Sequence, residues 1–351
     1  MLLSAGSNAH GQLSNSTLDD AHSFTPCSFS DNAQRRVLHL AFGANHTLAL
    51  VEPSEGRAPE LWGCGDGRAG QLGPEYTRAT VLTRLDLDLP THYVPRLVAA
   101  GWETSYVVLS CPGKPDIVIS FGGNDFGDLG VETATPTANG FHVVDPGFRS
   151  LIRSIAAGQH HVLLVSESGP AVGWGASRHG QLGETAARPF TSTPVVVAAD
   201  IATAAVGHHH SVLLHKSGTV LGLGSNRKHQ LDGLEDLRDA TSIRCTWNGT
   251  YATTSGRTII SAGSNAHGQL GDTSQLPANG KLVQLACGSE HVLAVFETDG
   301  GKREVWGWGW NEHGNLGVGT TEDVWVPLKL FSWNGEVQVW AGMGTSWIYY
   351  L

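Results

Sequence analysis

The sequence is poor in cysteine, in basic runs and in long apolar stretches, and each shortage argues against a class of protein. The five cysteines are scattered and form no Cys-x-x-Cys pair, so neither a disulfide framework nor a zinc finger is expected. No apolar run approaches the roughly 20 residues that a membrane-spanning helix needs. With 22 Lys and Arg against 32 Asp and Glu, and no basic run, we expect no direct nucleic-acid partner. Reduced thiols and the lack of a leader-like start predict a cytoplasmic and nuclear location.

Long helical periods are also scarce, whereas glycine is abundant, with 45 in 351 residues. The apolar runs are short and rich in Val, Leu and Ala, and glycines bound each of them. This composition predicts an all-β chain of short strands joined by tight turns.

A repeated motif organises these runs. The ten residues 4–13, SAGSNAHGQL, recur without change at 261–270, and looser copies lie between and after them. The first glycines of the seven copies are Gly6, Gly65, Gly122, Gly175, Gly224, Gly263 and Gly309. Chance does not produce such a set, so the chain contains internal repeats.

A second motif alternates with the first. It reads apolar, small, Gly, two variable residues, His or Thr, and then an apolar run, as in LAFGANHTLAL from Leu40. The glycine of this motif occurs in six copies, at Gly43, Gly101, Gly158, Gly207, Gly288 and Gly342, and Thr246 replaces it in the remaining copy. The mean period is about 50 residues, which is typical of propeller blades or solenoid units.

These repeats predict an all-β, seven-bladed β-propeller that occupies residues 1–351 as a single domain. The chain begins with a first-type motif and ends with a second-type motif. We therefore expect the N- and C-terminal strands to share one blade and so close the ring.

One segment departs from the pattern. His229 and Asp232 replace glycines of the first motif, and Thr246 and Gly249 replace the glycine and histidine of the second. We interpret this segment as one blade, the fifth, which has either drifted from the repeat or been remodelled for contact with a partner.

The variable pair after each second-type glycine forms the candidate site, because it falls once per blade on one predicted face. Tryptophan, histidine and carboxylate side chains at these positions could anchor a partner, although Trp102 and Trp247 could instead pack over neighbouring loops. The predicted partner-binding residues are Trp102, Glu103, His160, His208, His209, Trp247 and Glu290.

No catalytic or phosphate-binding motif of the GxxxxGK[ST], GxSxG or HExxH type is present. The histidines that share one repeat position, such as His46 and His161, are predicted to be core residues. Adjacent histidines of a strand point to opposite faces, so the tract 208–210 does not favour chelation. We expect a non-enzymatic interaction scaffold without a cofactor or a metal of its own.

The alternation of GxNxxGQLG with AxGxxHTLAL resembles the regulator of chromosome condensation repeat family over the whole chain, and that family implies a seven-bladed propeller. The block AGWETSYVVL, followed by DIVISFGGNDFGDLG, resembles the small fungal tubulin-suppressor branch. That resemblance implies a monomer that binds a small CSL-type zinc-finger protein. It also implies support of Elongator-dependent tRNA wobble uridine modification and of diphthamide biosynthesis. The alternative is guanine-nucleotide exchange on a Ran-like small GTPase, which the founding member of the family implies.

Overall fold

The computed structural model describes residues 1–132 and 140–351, and strands dominate both parts. The short apolar runs bounded by glycine form the strands, as expected from their composition. In chain order the strands are β1 (Leu2–Gly6), β2 (Ala21–Pro26), β3 (Arg36–Phe42), β4 (His46–Glu52), β5 (Glu60–Asp66), β6 (Arg78–Arg84), β7 (Val94–Ala100), β8 (Thr104–Ser110), β9 (Ile117–Gly122), β10 (His142–Val144), β11 (Ile152–Ala157), β12 (His161–Ser166), β13 (Ala171–Ala176), β14 (Phe190–Ala198), β15 (Ile201–Val206), β16 (His210–His215), β17 (Val220–Gly224), β18 (Ala240–Thr246), β19 (Gly249–Thr254), β20 (Ile259–Gly263), β21 (Lys281–Cys287), β22 (His291–Glu297), β23 (Arg303–Gly309), β24 (Val324–Trp333), β25 (Val337–Ala341) and β26 (Thr345–Tyr350). Single-turn 3-10 helices lie at Leu234–Asp236, Thr273–Gln275 and Asp299–Gly301.

The strands form seven small antiparallel sheets, each of which is one blade of a propeller. From the inside outwards, blade 1 is β3–β6, blade 2 is β7–β10, blade 3 is β11–β14, blade 4 is β15–β17, blade 5 is β18–β20 and blade 6 is β21–β24. Blade 7 has the order β25, β26, β1, β2. The innermost strands of all seven blades line a central channel. The predicted seven-bladed all-β propeller is therefore confirmed.

Ring closure follows the predicted route. Strand β1 pairs antiparallel with β26, with Leu2 opposite Tyr349 and Gly6 opposite Thr345. Blade 7 thus takes its two inner strands from the C-terminal end of the sequence and its two outer strands from the N-terminal end. This pairing gives each of the two terminal strand pairs a neighbour and removes the seam in the ring.

The departing segment spans two blades and not one, which corrects our interpretation of a single remodelled fifth blade. His229 and Asp232 follow the third strand of blade 4, whereas Thr246 and Gly249 belong to blade 5. Both blades contain three strands in the described structure, and a 3-10 helix at Leu234–Asp236 follows β17 in blade 4. The error arose because the shortened connection brings the motifs of neighbouring blades close together in sequence.

Buried histidines connect adjacent blades. Nε2 of His46 in blade 1 lies 3.0 Å from the hydroxyl of Ser105 in blade 2. That hydroxyl donates its own proton to the Gln71 carbonyl at 2.7 Å, so Nε2 of His46 must be the donor. Equivalent contacts join His161 to Ser211, His210 to Thr250, and His291 to Ser346. These histidines are core residues that hold the ring together.

Three of these imidazoles, those of His46, His210 and His291, also explain the glycine of their motif. A Cβ at Gly43 would lie 2.1 Å from Cε1 of His46, so the ring packs directly on the glycine Cα. Blade 5 exchanges the two roles, because a Cβ at Gly249 would lie 2.7 Å from the Thr246 hydroxyl. The paired replacement at positions 246 and 249 therefore preserves the packing of a side chain at one position against a glycine at the other.

We expect a chain truncated after residue 338 to lose its cooperative melt and most of its solubility. The truncation removes β26 and most of β25, so β1 and β2 lose the strand pairing that joins them to the inner half of blade 7. Thermal melts and sedimentation would measure the effect. The control is a circular permutant opened at the turn between β4 and β5, with Met1 joined to Leu351. The Met1 carbonyl already accepts a hydrogen bond from the Tyr350 N–H at 3.0 Å. Wild-type melting of the truncated chain would contradict closure by these strands.

We also expect stability to fall as the pH drops below about 6.5. Burial lowers the pKa of His46, His210 and His291 to about 4 and that of His161 to about 3. The unfolded chain therefore binds more protons than the folded one between pH 6.5 and 4, and folding stability is lost through that window. Each histidine contributes up to about 1.4 kcal/mol per pH unit to the slope of the unfolding free energy.

Denaturant titrations at pH 7.5, 6, 5 and 4.5 would measure this slope. The variant His291→Gln should be less stable at neutral pH and should show a shallower acid dependence. The exposed His92, replaced by Asn, should leave the wild-type slope unchanged. A flat profile between pH 6.5 and 4.5 would contradict the assignment of buried neutral imidazoles.

Candidate partner-binding face

The loops that carry the variable pairs are fixed by the first-type glycine of the same blade. Gly65 has a φ of +99°, and a Cβ there would lie 2.2 Å from the Asn45 carbonyl oxygen. The next residue, Asp66, donates its N–H to that oxygen at 2.8 Å. The same donor–acceptor pair recurs in every blade: Ser7 to Gly344, Asp66 to Asn45, Gly123 to Glu103, Ala176 to His160, Ser225 to His209, Ser264 to Asn248 and Trp310 to Glu290. The two motifs therefore interlock and hold the second variable residue in place.

The first variable residue of each pair connects neighbouring blades through the backbone. The Trp102 N–H donates to the Gln159 carbonyl at 2.9 Å, and the Trp102 carbonyl accepts from the Ala44 N–H at 2.9 Å. On the other side of the ring, the Trp247 N–H donates to the Ser289 carbonyl at 2.7 Å, and its carbonyl accepts from the His208 N–H at 3.0 Å. These bonds place the variable pairs around one mouth of the central channel.

Seven aromatic and imidazole rings form a continuous series at this mouth, which we call the aromatic–imidazole patch. Its members, in order of contact, are Phe126, His160, Trp102, Trp247, His208, His209 and His179. The centroids of Trp102 and Trp247 are 6.3 Å apart, although the two residues belong to blades 2 and 5 on opposite sides of the ring. The closest pair is His208 and His209, stacked at 3.7 Å. The two tryptophans therefore meet across the mouth instead of only covering neighbouring loops.

Burial lowers the pKa of three imidazoles of the patch, those of His208, His209 and His179, and so holds them in the neutral form near neutral pH. Burial, followed by repulsion from His209, His160 and His179, lowers the pKa of His208 to about 4. Burial also lowers the pKa values of His209 and His179. Because these rings are uncharged, the centre of the patch is largely apolar.

Asp128 anchors one end of the patch. It occupies the position that is glutamine in most copies of the motif, and its Oδ2 accepts the Phe126 N–H at 2.8 Å. Its Oδ1 lies 3.1 Å from Nδ1 of His160. The carboxylate thus supports the turn that carries Phe126 and also orients the imidazole of the next blade.

The two predicted carboxylates lie outside the series of rings. Glu290 is buried, and its oxygens accept from the side-chain amides of Asn248 and Gln269, each at 2.6 Å. Burial raises the pKa of Glu290. Its carboxylate therefore bridges blades 5 and 6 below the surface. Glu103 is exposed at the edge of the patch, where its carboxylate interacts with the charge of Arg68 of blade 1.

A different arrangement covers the rest of this face. Histidines that precede the second glycine of the first motif pair with aspartates of the next blade. These pairs are His267 with Asp323 at 2.8 Å, His313 with Asp20 at 2.7 Å, and His10 with Asp66 at 3.6 Å. The equivalent residues of blades 1 to 4 are Ala69, Phe126, His179 and Lys228, which form no such pair in the described structure. The aromatic–imidazole patch thus lies mainly over the sector without these pairs.

Sequence reasoning missed Phe126 and His179. Both precede the second glycine of the first motif, at a position that is histidine in four copies and Ala, Phe or Lys in the other three. That variability was the available signal, and the structure brings this position onto the same face.

Within residues 1–132 and 140–351, no three His, Cys, Asp or Glu side chains are arranged to hold a metal ion. The described part also contains no helix that is both long and apolar enough to cross a membrane. The free cysteines that line the channel, Cys245 and Cys287, are half-buried, and desolvation of the thiol raises the pKa of Cys245 to about 12. That shift leaves Cys245 a poor nucleophile.

Comparisons with known proteins agree with this architecture. A family model described as an RCC1-like domain matches residues 1–348. An RCC1 repeat-containing protein of Schizosaccharomyces pombe is 29% identical, covering 99% of this chain and 98% of its own length. The secretion-regulating guanine nucleotide exchange factor of Mus musculus is 27% identical, covering 94% of this chain and 78% of its own. The crystal structure of human WBSCR16 shares the fold, with a TM-score of 0.78 at 19% identity over 99% of this chain and 98% of that one. With the family model matching almost the whole chain, and the blades arranged as its repeats require, this protein belongs to the RCC1-like family.

Proposed function

We propose that this protein is a non-enzymatic scaffold whose aromatic–imidazole patch binds a small CSL-type zinc-finger protein. Through that partner it supports Elongator-dependent modification of tRNA wobble uridine and the biosynthesis of diphthamide. It acts as a monomer before it binds the partner, in the cytoplasm and nucleus. The observation that carries the proposal is the continuous patch of seven rings at one mouth of the channel.

The construction of the patch supports a role in binding. Trp102 and Trp247 are half-buried, and backbone hydrogen bonds to neighbouring blades fix the loops that carry them. Large aromatic side chains on a rigid support bind with little loss of conformational entropy. They are also the residue type most often found at the energetic centre of protein interfaces.

The charge of the chain supports an indirect connection to tRNA. The formal net charge is −10 at pH 7, so the chain as a whole repels a polyanion. Contact with tRNA would then be made by proteins bound to the scaffold. The choice of a CSL-type partner rests on the resemblance to the fungal tubulin-suppressor branch.

A second candidate is guanine-nucleotide exchange on a Ran-like small GTPase. It is favoured by the likeness to a mouse protein named as an exchange factor, at 27% identity over 94% of this chain. Release of a fluorescent guanine nucleotide from the loaded GTPase separates the two candidates. Acceleration by this protein, without binding of the zinc-finger protein, would favour exchange.

We expect Trp102→Ala to weaken binding of the CSL-type protein by roughly thirtyfold, or ~2 kcal/mol, because it removes an anchor from the centre of the patch. Isothermal titration calorimetry, paired with a thermal melt, measures the effect. The matched control is Trp325→Ala, which removes a 55% exposed tryptophan from outer strand β24. Equal affinities for both variants and the wild type would move the interface away from the patch.

The charge reversal Glu103→Lys tests the edge of the same surface. Its side chain is exposed, so the folded ring should keep its melting temperature. We expect weaker docking, with a smaller effect than that of Trp102→Ala, because charges at the rim of an interface act mainly on the association rate. Unchanged association kinetics would exclude position 103 from the contact.

Elemental analysis tests the division of roles between scaffold and partner. The purified chain alone, without a tag, should contain less than about one zinc per ten molecules, because no complete tetrahedral ligand set is expected in it. The complex with the CSL-type protein should contain the zinc of that partner. Stoichiometric zinc in the chain alone would contradict the proposed division.

A further inference from the structure

The aromatic–imidazole patch has a basic end. Arg178 and Arg227 occupy equivalent positions in the first-type motifs of blades 3 and 4, each three residues after the motif glycine. Their loops lie side by side, because a Cβ at Gly224 would be 3.1 Å from the Cα of Gln181. The ring of His179, the residue after Arg178, contacts that of His209 with the centroids 4.3 Å apart and so joins these loops to the patch.

Both guanidinium groups are exposed, and in the described part of the chain neither forms an ion pair. The contrast is Arg68, which occupies the same motif position in blade 1. Its guanidinium group is neutralised by three hydrogen bonds to Asp66, the shortest at 2.7 Å. In a chain with a formal net charge of −10, two adjacent uncompensated arginines beside an apolar patch make a local positive field.

The effect of the arginines on the patch is visible in its imidazoles. Burial lowers the pKa of His179, and the charges of Arg227 and Arg178 lower it further. Arg227 also contributes to the lowered pKa of His209. The positive charges therefore lie close enough to the end of the ring series to act on one bound segment together with it.

We propose that this face binds an acidic protein segment that carries an aromatic or large apolar anchor. The anchor packs on Trp102 and Trp247 at the channel mouth, and the carboxylates of the segment pair with Arg178 and Arg227. This inference rests on the proposed function, to which it adds the chemistry of the bound segment.

An acidic segment fits this face better than a nucleic acid does. Stacking rings beside arginines also occur in sites for single-stranded RNA. However, such sites follow the backbone with many basic residues, whereas here two arginines stand at one end of the patch. At the other end, Asp125 and Glu103 are exposed and would repel a second phosphate group.

The experiment uses the full chain and three fluorescent probes. They are a peptide of glutamates with one central tryptophan, the same peptide with lysines for glutamates, and a single-stranded oligouridylate. Fluorescence anisotropy should show binding of the glutamate peptide and none of the lysine peptide. Raising the salt from about 0.01 M to about 1 M shortens the Debye length from about 30 to about 3 Å and should weaken that binding.

The double variant Arg178→Glu, Arg227→Glu should weaken the glutamate peptide at least about tenfold and should gain affinity for the lysine peptide. That gain cannot come from a misfolded chain. The control Arg57→Glu makes one such charge reversal at an exposed arginine in the turn between β4 and β5, on the opposite face, and should behave as the wild type. Adding Trp102→Ala should weaken binding of the glutamate peptide by the wild type and binding of the lysine peptide by the double variant.

No binding of the glutamate peptide by the wild type, or equal binding by the double variant, would overturn the inference. Tighter binding of the oligouridylate than of the glutamate peptide would also overturn it, in favour of RNA. If the peptide results hold but the CSL-type protein does not bind, the proposed function fails while the acidic-segment surface stands. If that protein binds and the double variant holds it as tightly as the wild type, the inference fails and the proposed function stands.

Discussion

The ring depends on the contact between one imidazole and one glycine within a blade, completed by a hydroxyl of the next blade. At Gly43 and His46 the imidazole lies where a Cβ would be, and its Nε2 reaches Ser105 across the blade boundary. A propeller consists of sheets too small to be stable alone, so its stability is concentrated in such contacts between neighbours. The reciprocal pair Thr246 and Gly249 shows that the packing, and not the residue types, is what the repeat must preserve.

A scaffold fixed in this way leaves the variable loop residues free to differ between blades. Much of the sequence signal was therefore structural, and it predicted the fold well. The alternating motifs gave the number of blades, and the unpaired motif at each end gave the strand pairing between β1 and β26. The site was only partly predictable. That Trp102 and Trp247 fall on one face follows from the repeat, but their contact across the mouth depends on side-chain reach, which a linear pattern does not contain.

The side chains whose location the sequence pattern did not predict have one physical cause in common. Glu290 falls in a variable pair, yet its carboxylate turns inward because Asn248 and Gln269 offer two amides at hydrogen-bonding distance. Phe126 and His179 lie in the first-type motif, whose constant glycines indicate a structural turn and not a binding position. In both cases the repeat predicts the position of the backbone, whereas contacts with the neighbouring blade determine the direction of the side chain.

The location of the patch links binding to the integrity of the ring. Trp102 and Trp247 come from blades 2 and 5, so their contact depends on how these two blades are held relative to one another. Opening the ring would let the two blades move apart and would so weaken the central part of the surface. A partner that binds across both tryptophans thus prefers the closed state, and it must stabilise that state in proportion to its concentration relative to its dissociation constant. The histidine–aspartate pairs that begin in blades 5 to 7 also favour the closed ring, because each pair joins two neighbouring blades. If the patch binds a partner as proposed, recognition and ring closure are two aspects of a single conformational equilibrium.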